Sequence, residues 1–145
     1  MVEISFYEIY NEHIYDLLAS QKNRKERTQL RVREHPVLGP YIEDLSTYVA
    51  TGYIDVEHWL TLGNRFRATA ATGMNERSSR SHSCFMLVVT QNRELEGEEA
   101  SIVSKINLVD LAGSERVKNS FTSSERLREG QNINRSLHTL GKVCF

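Results

Sequence analysis

Val2, Ile4 and Phe6 alternate with Glu3, Ser5 and Tyr7, so the chain opens with the period-two pattern of a strand that buries one face. Ile14, Leu17 and Leu18 then recur at helical spacing behind Asn11, a residue suited to capping, which predicts a short helical turn. Residues 20–29 are almost all polar, include Lys22, Arg24, Lys25 and Arg27, and read as a solvated surface loop. Leu30 to Glu34 alternates again, Pro36-Val37-Leu38-Gly39-Pro40 supplies turn chemistry, and Tyr41 to Val49 resumes an extended pattern. Together these predict a hairpin presented at the surface. From Asp55 onward, Val56, Trp59, Leu60, Gly63, Phe66 and Ala70 fall near helical spacing, and Gly73 stands where a helix stop belongs. The prediction is one amphipathic helix of about four turns.

Ser83 to Arg93 and Ile102 to Leu111 are apolar, β-branched runs on either side of an acidic loop, Glu94 to Glu99, and read as paired core strands. Ile133, Leu137 and Leu140 mark a last helix, with no Gly or Pro terminator before Phe145. A pattern that starts inside a strand and stops inside a helix leads us to expect residues 1–145 to be one piece of a larger α/β domain.

Composition narrows the function classes. Eighteen Lys and Arg against nineteen Asp and Glu give a net charge of −1, so no global field draws the chain to nucleic acid or to a membrane surface. The longest strongly apolar run, Cys84 to Val89, is far too short to span a bilayer. The two cysteines, Cys84 and Cys144, form no C-x-x-C and have no His at ligand spacing, so they read as reduced, buried thiols and zinc is not expected. The first residues lack a basic and an apolar leader region, so a cytoplasmic location is expected, and Asn134-Arg135-Ser136 is taken as a chance match to a glycosylation pattern.

Two clusters carry chemistry. Asp110-Leu111-Ala112-Gly113 follows an apolar strand, placing a carboxylate at the strand's end and a glycine amide one short turn beyond. A carboxylate there can hold magnesium through water, because this hard ion keeps much of its hydration shell. Gly113, having no side chain, lets its N–H approach a phosphate oxygen. D-x-x-G by itself is also met by ordinary strand-ending turns. The second cluster, Asn75-Glu76-Arg77-Ser78-Ser79-Arg80-Ser81-His82, packs an amide, hydroxyls and guanidinium groups between a helix end and a strand. Hydroxyls can ligate magnesium or orient a water, and arginine can pair with phosphate or carboxylate. A serine protease site is not expected, because adjacent strand residues point to opposite faces and no third group is evident. No G-x-x-x-x-G-K-[ST] phosphate cradle can be built from the eight glycines. A GTPase-like switch would need an N-K-x-D base reader, and none occurs.

Asn75-x-x-Ser78-Ser79-Arg80-Ser81-His82, followed about thirty residues later by Asp110-Leu111-Ala112-Gly113-Ser114-Glu115, resembles the switch I and switch II pair of the kinesin motor domain. Ser5 to Glu12 and Asn132 to Leu137 are similar to further stretches of that family, and Leu30 to Tyr41 looks most like its third class, the organelle-transport motors. The resemblance implies a central, largely β sheet flanked by helices, of the α/β P-loop NTPase class, and ATP and Mg2+ as cofactors. It implies that Ser79 ligates magnesium, Ser78 helps position the attacking water, Asp110 holds a magnesium-bound water, and Asn75 lies against the nucleotide. Gly113 would donate its amide to the γ-phosphate, and Arg80 and Glu115 would form the ion pair that closes the two switches. Asn134, on the relay helix, completes the catalytic set.

The same resemblance implies tubulin as partner and the microtubule cytoskeleton as location. Arg31, Arg33, His35, Lys118 and Arg135 are then candidate contacts to an acidic tubulin surface, although such bases also occur as ordinary solvated charge. The Walker A loop, the last strand and the neck linker are expected to be missing from these residues, so this chain alone is expected to hydrolyse little or no ATP. Cargo and oligomeric state would be set elsewhere. The alternative is a truncated, non-hydrolysing microtubule-binding module.

Overall fold

A computed structural model of the chain describes residues 1–19, 28–37, 39–69, 80–95, 98–112 and 135–143. Its elements run β1 (Val2–Tyr10), β2 (His13–Asp16), β3 (Gln29–Leu30), β4 (Val32–His35), β5 (Gly39–Ile42), β6 (Tyr48–Ala50), α1 (Tyr53–Thr69), β7 (His82–Leu95) and β8 (Glu98–Asp110). Helical residues 135–143 follow.

β1 is the strand on which the rest assembles. β7 pairs along one side of it, from Val2↔Val89 to Ile9↔His82. The other side is shared, β6 taking its beginning (Val2↔Ala50 to Ile4↔Tyr48) and β2 its end (Tyr7↔Asp16 to Tyr10↔His13). β3 extends the sheet beyond β2, β8 extends it beyond β7, and all these pairs are antiparallel.

Every residue of β1 from Ile4 to Ile9 is buried, so both faces are covered rather than the one that alternation predicts. Ile4 and Phe6 join Leu17, Leu18, Ala50 and Phe85, with Val56, Trp59 and Leu60 of α1 packed against them. Tyr7 and Ile9 point to the opposite face and join Ile14, Ile42, Cys84, Leu140 and Val143. The sheet therefore lies between α1 and the helical residues 135–143. Ser5 is tolerated inside because its hydroxyl pairs with that of Thr47 at 3.2 Å.

Three sequence expectations are corrected. Asn11 does not cap a helical turn. Asn11 and Glu12 have φ of 50° and 68°, the two left-handed central residues of a type I′ turn, and β2 folds straight back on β1. Asn serves caps and such turns equally well, which is why spacing alone misled. Leu17 and Leu18 reach their cluster because the chain bends after β2, with the Leu17 amide donating to Phe6 O at 2.9 Å and the Leu18 amide to Asp16 Oδ1 at 2.7 Å. Second, the extended stretch from Tyr41 breaks after β5, at Asp44 with φ 61°, and resumes only in β6. Third, β7 and β8 keep their pairing through most of the acidic run, to Glu94↔Glu99 and Leu95↔Glu98.

α1 begins behind Thr51, whose amide and hydroxyl both donate to Asp55 Oδ2 at 2.7 Å. The Thr51 hydroxyl bond, followed by its amide bond, holds the Asp55 carboxyl below its ordinary value. The ionised form is thus favoured by folding. Its contribution is complete above the ordinary carboxylate pKa of about 4 and is lost as pH falls through the lowered native value. Asp55→Asn is expected to lower the melting temperature at pH 7, and its effect should shrink progressively as the pH is taken below the ordinary carboxylate value, as thermal unfolding across that range would report.

One glycine fixes how closely α1 approaches the sheet. A Cβ added at Gly63 would fall 2.7 Å from Phe6 Cε1 and closer still to Cδ1. The Phe6 ring is itself held edge-on to Phe85, centroids 5.2 Å apart.

Candidate nucleotide-switch site

The start of β7 and the end of β8 lie side by side, with Ser83 paired to Asp110. Arg67 stands in the last turn of α1, four residues beyond Gly63 and on the same side of the helix, so it reaches over the sheet to this corner. Its Nη1 donates to the Asp110 carboxylate and, at 2.9 Å, to Ser83 Oγ, while Nη2 donates to Ser81 O at 3.1 Å. Guanidinium geometry suits the task, since one rigid fork serves three acceptors on two strands. The Arg67 side chain is 13% exposed and that of Asp110 68%, so the pair is anchored inside and opens to solvent on the carboxylate side.

His82 opens β7 and is buried, and its Nδ1 accepts the Ala112 N–H at 2.9 Å. Ser81 beside it is also fully buried, and its hydroxyl has no hydrogen-bond partner among the described residues.

Of the nucleotide-site residues expected from sequence, Arg80 and Asp110 are brought to this one corner. Asn75, Ser78, Ser79, Gly113, Glu115 and Asn134 lie outside the described residues, as does Lys118 of the tubulin set. The described ends of the two clusters, Arg80 and Ala112, are joined through His82 and the Ser83↔Asp110 pair. An exposed carboxylate at a strand end fits an ion held through water. Among the described residues no group of three His, Cys, Asp or Glu could hold a metal directly.

Sequence reading missed Arg67, and it named His82 only as the end of the second cluster, without a role. The available signal for Arg67 was an arginine at i+4 from a glycine on the apolar face, which aims it at the sheet rather than at water. The motif marked His82 but not its partner, because a buried histidine looks the same in sequence whatever it accepts.

The remaining candidates cluster elsewhere. β4 and β5 form a separate two-stranded sheet, with exposed Arg33 and His35 on β4 and Arg31 just before it. Arg33 pairs with Glu43 at 3.1 Å, and His35 Nδ1 accepts the Val37 N–H at 3.2 Å. Arg135 is exposed at the start of the described part of the last helix. Ile42 of β5 shares a cluster with Leu140 and Val143, so the hairpin and this helix rise from the same face, opposite α1.

The chain presents a helix-covered sheet in which the carboxylate at the end of β8 stands beside the Ser81 and Ser83 end of β7. The sequence profile of the kinesin motor domain matches residues 1–145, and the chain belongs to that family. It is 57% identical over 147 residues to the kinesin-like protein KIF14 of Homo sapiens, covering 98% of this chain and 9% of that protein. To the kinesin-like protein KIF1C of Homo sapiens it is 54% identical over 144 residues, covering 98% and 13%. Among solved structures it is similar to a KIF14 dimer, described as a two-heads-bound state with AMP-PNP in complex with a microtubule. The TM-score is 0.73 and the identity 57%, over 97% of this chain and 40% of that one. A second KIF14 structure, with ADP in complex with a microtubule, gives a TM-score of 0.72 at 57% identity over 97% and 40%. The chain thus spans well under half the length of the relatives it matches.

Proposed function

We propose that these residues supply the γ-phosphate-sensing switches and part of the microtubule-binding face of an ATP-hydrolysing, microtubule-dependent motor of the cytoplasmic cytoskeleton. One observation carries the reading: Arg67 ties Asp110 at the end of β8 to Ser81 and Ser83 at the start of β7. The segments bearing Ser78 and Ser79 on one side and Gly113 and Glu115 on the other leave from that knot.

Asp110 and Ser79 would hold Mg2+, Asp110 through water, and the ion when bound would neutralise charge on the nucleotide's phosphates. Asn75 would lie against the nucleotide, Ser78 would orient the attacking water, and Asn134 would act from the relay helix. The Gly113 amide would donate to the γ-phosphate. Arg80 and Glu115 would close the two segments over it, and removing one partner of such a pair when buried costs about 3–5 kcal/mol. Loss of the phosphate removes what both segments share, which makes the ion pair a sensor as well as a latch. The hairpin bases and Arg135, together with Lys118, would meet acidic tubulin from one face.

The chain alone has no Walker A loop in its sequence, and without that loop most phosphate contacts are missing. Purified chain is expected to pellet with microtubules without measurable ATP turnover. Charge reversal at Arg33 or Arg135 should weaken pelleting about three- to tenfold, in a salt-dependent way. Absence of pelleting in the unmodified chain would remove the microtubule face from the proposal, and microtubule-stimulated turnover would remove the expectation of inactivity.

A further inference from the structure

The bond between His82 and Ala112 couples the two clusters by a route separate from any side-chain ion pair. Nδ1 of His82 accepts the Ala112 N–H at 2.9 Å, so this nitrogen carries a lone pair and the ring is neutral with its proton on Nε2. The ring is buried, 1% exposed, and its backbone is pinned on both sides. Arg67 holds the Ser81 carbonyl at 3.1 Å before it, and Ser83 is paired with Asp110 after it. The ring therefore has a fixed place from which to hold an amide two residues past the end of β8.

β8 ends at Asp110, so Ala112 lies beyond the ladder and its amide has no strand to bond to. Leu111 just before it is exposed, while Ala112 itself is buried. The next peptide unit is that of Gly113. We infer that His82 is a positioning residue, which fixes the backbone at Ala112, the residue from which the chain runs on to Gly113. This rests on the reading of Gly113 as the phosphate-facing amide. It adds that the residue holding the start of that segment belongs to the opposite cluster, immediately after Arg80-Ser81.

The acceptor's place within the side chain makes the inference testable. An asparagine puts its Oδ1 close to where Nδ1 stands and can accept the same N–H. A glutamine puts its acceptor near Nε2, one bond too far out, and a leucine fills the volume with no acceptor. Amide hydrogen exchange, read residue by residue by NMR on the 145-residue chain, is compared for the unmodified protein, His82→Asn, His82→Gln and His82→Leu. Ala112 exchange is expected to be slow in the unmodified protein and in His82→Asn, and roughly tenfold or more faster in His82→Gln and His82→Leu. Amides of Phe6 and Tyr7 in β1 serve as the control that the sheet is intact.

Equal protection of Ala112 in His82→Leu, or exposure in His82→Asn equal to that in His82→Leu with β1 still protected, would overturn the inference. Repeating the series with Mg·AMP-PNP in a motor domain built to the relatives' length around these residues, which supplies the phosphate loop this chain lacks, separates the two levels. Failure of the nucleotide to alter Ala112 exchange in the unmodified protein would overturn the phosphate reading of Gly113. The leucine–asparagine contrast still decides what His82 does.

Discussion

Gly63→Ala is expected to destabilise the fold, although alanine is the better helix former by about 1 kcal/mol. The added methyl would overlap two ring carbons of Phe6, and moving that ring aside disturbs its edge-on contact with Phe85. Overpacking of this kind costs about 1–3 kcal/mol and sometimes more, so the net loss after the gain in propensity should be up to about 2 kcal/mol. Gly63→Val should cost more, being bulkier and β-branched. Denaturant midpoints for Gly63→Ala, Phe6→Leu and the double variant would check this. The pair should be less destabilising than the sum of the singles, because the smaller side chain vacates the space the methyl needs. A midpoint raised by Gly63→Ala would show that α1 sits farther from β1 than the structure has it.

Arg67→Leu is expected to be the most damaging change for the switch corner. It removes three hydrogen bonds at once and leaves the Ser81 carbonyl without this donor. Because Asp110 is largely exposed, the ion pair itself counts for little, and the stability loss should stay near 1–3 kcal/mol. The functional loss should be larger. In a motor domain built to the relatives' length around these residues, displacing the corner by even about 1 Å should slow ATP turnover roughly hundredfold. Arg67→Lys should recover charge but little rate, because a point charge cannot serve acceptors on two strands together. Steady-state turnover of the leucine and lysine variants checks it, and a lysine variant with full activity would mean that only the charge matters.

How far the sequence revealed this arrangement follows from the reach of each interaction. β1, the β4–β5 hairpin and the β7–β8 pair were legible because alternation and turn residues act within a few positions. Burial on both faces of β1 was not, since Leu140 and Val143, which cover Tyr7 and Ile9, are more than a hundred residues away. β2 was misread because Asn11 suits two local structures and only pairing with β1 chooses between them. The motif residues Arg80 and Asp110 were named by resemblance, and Arg80 directly precedes Ser81, whose carbonyl shares the Arg67 guanidinium with Asp110. Arg67 was passed over because its partners lie 14, 16 and 43 positions along the chain, beyond any local pattern.

β8 is bonded on one side only among the described residues. Ile102, Ile106 and Leu108 on one of its faces and Val103 and Val109 on the other are all 40% or more exposed. A thirteen-residue strand with an open edge and these exposed apolar side chains offers a neighbouring copy a template for addition. For this chain in solution, loss of the monomer should therefore quicken as protein concentration rises, and dilution should slow it.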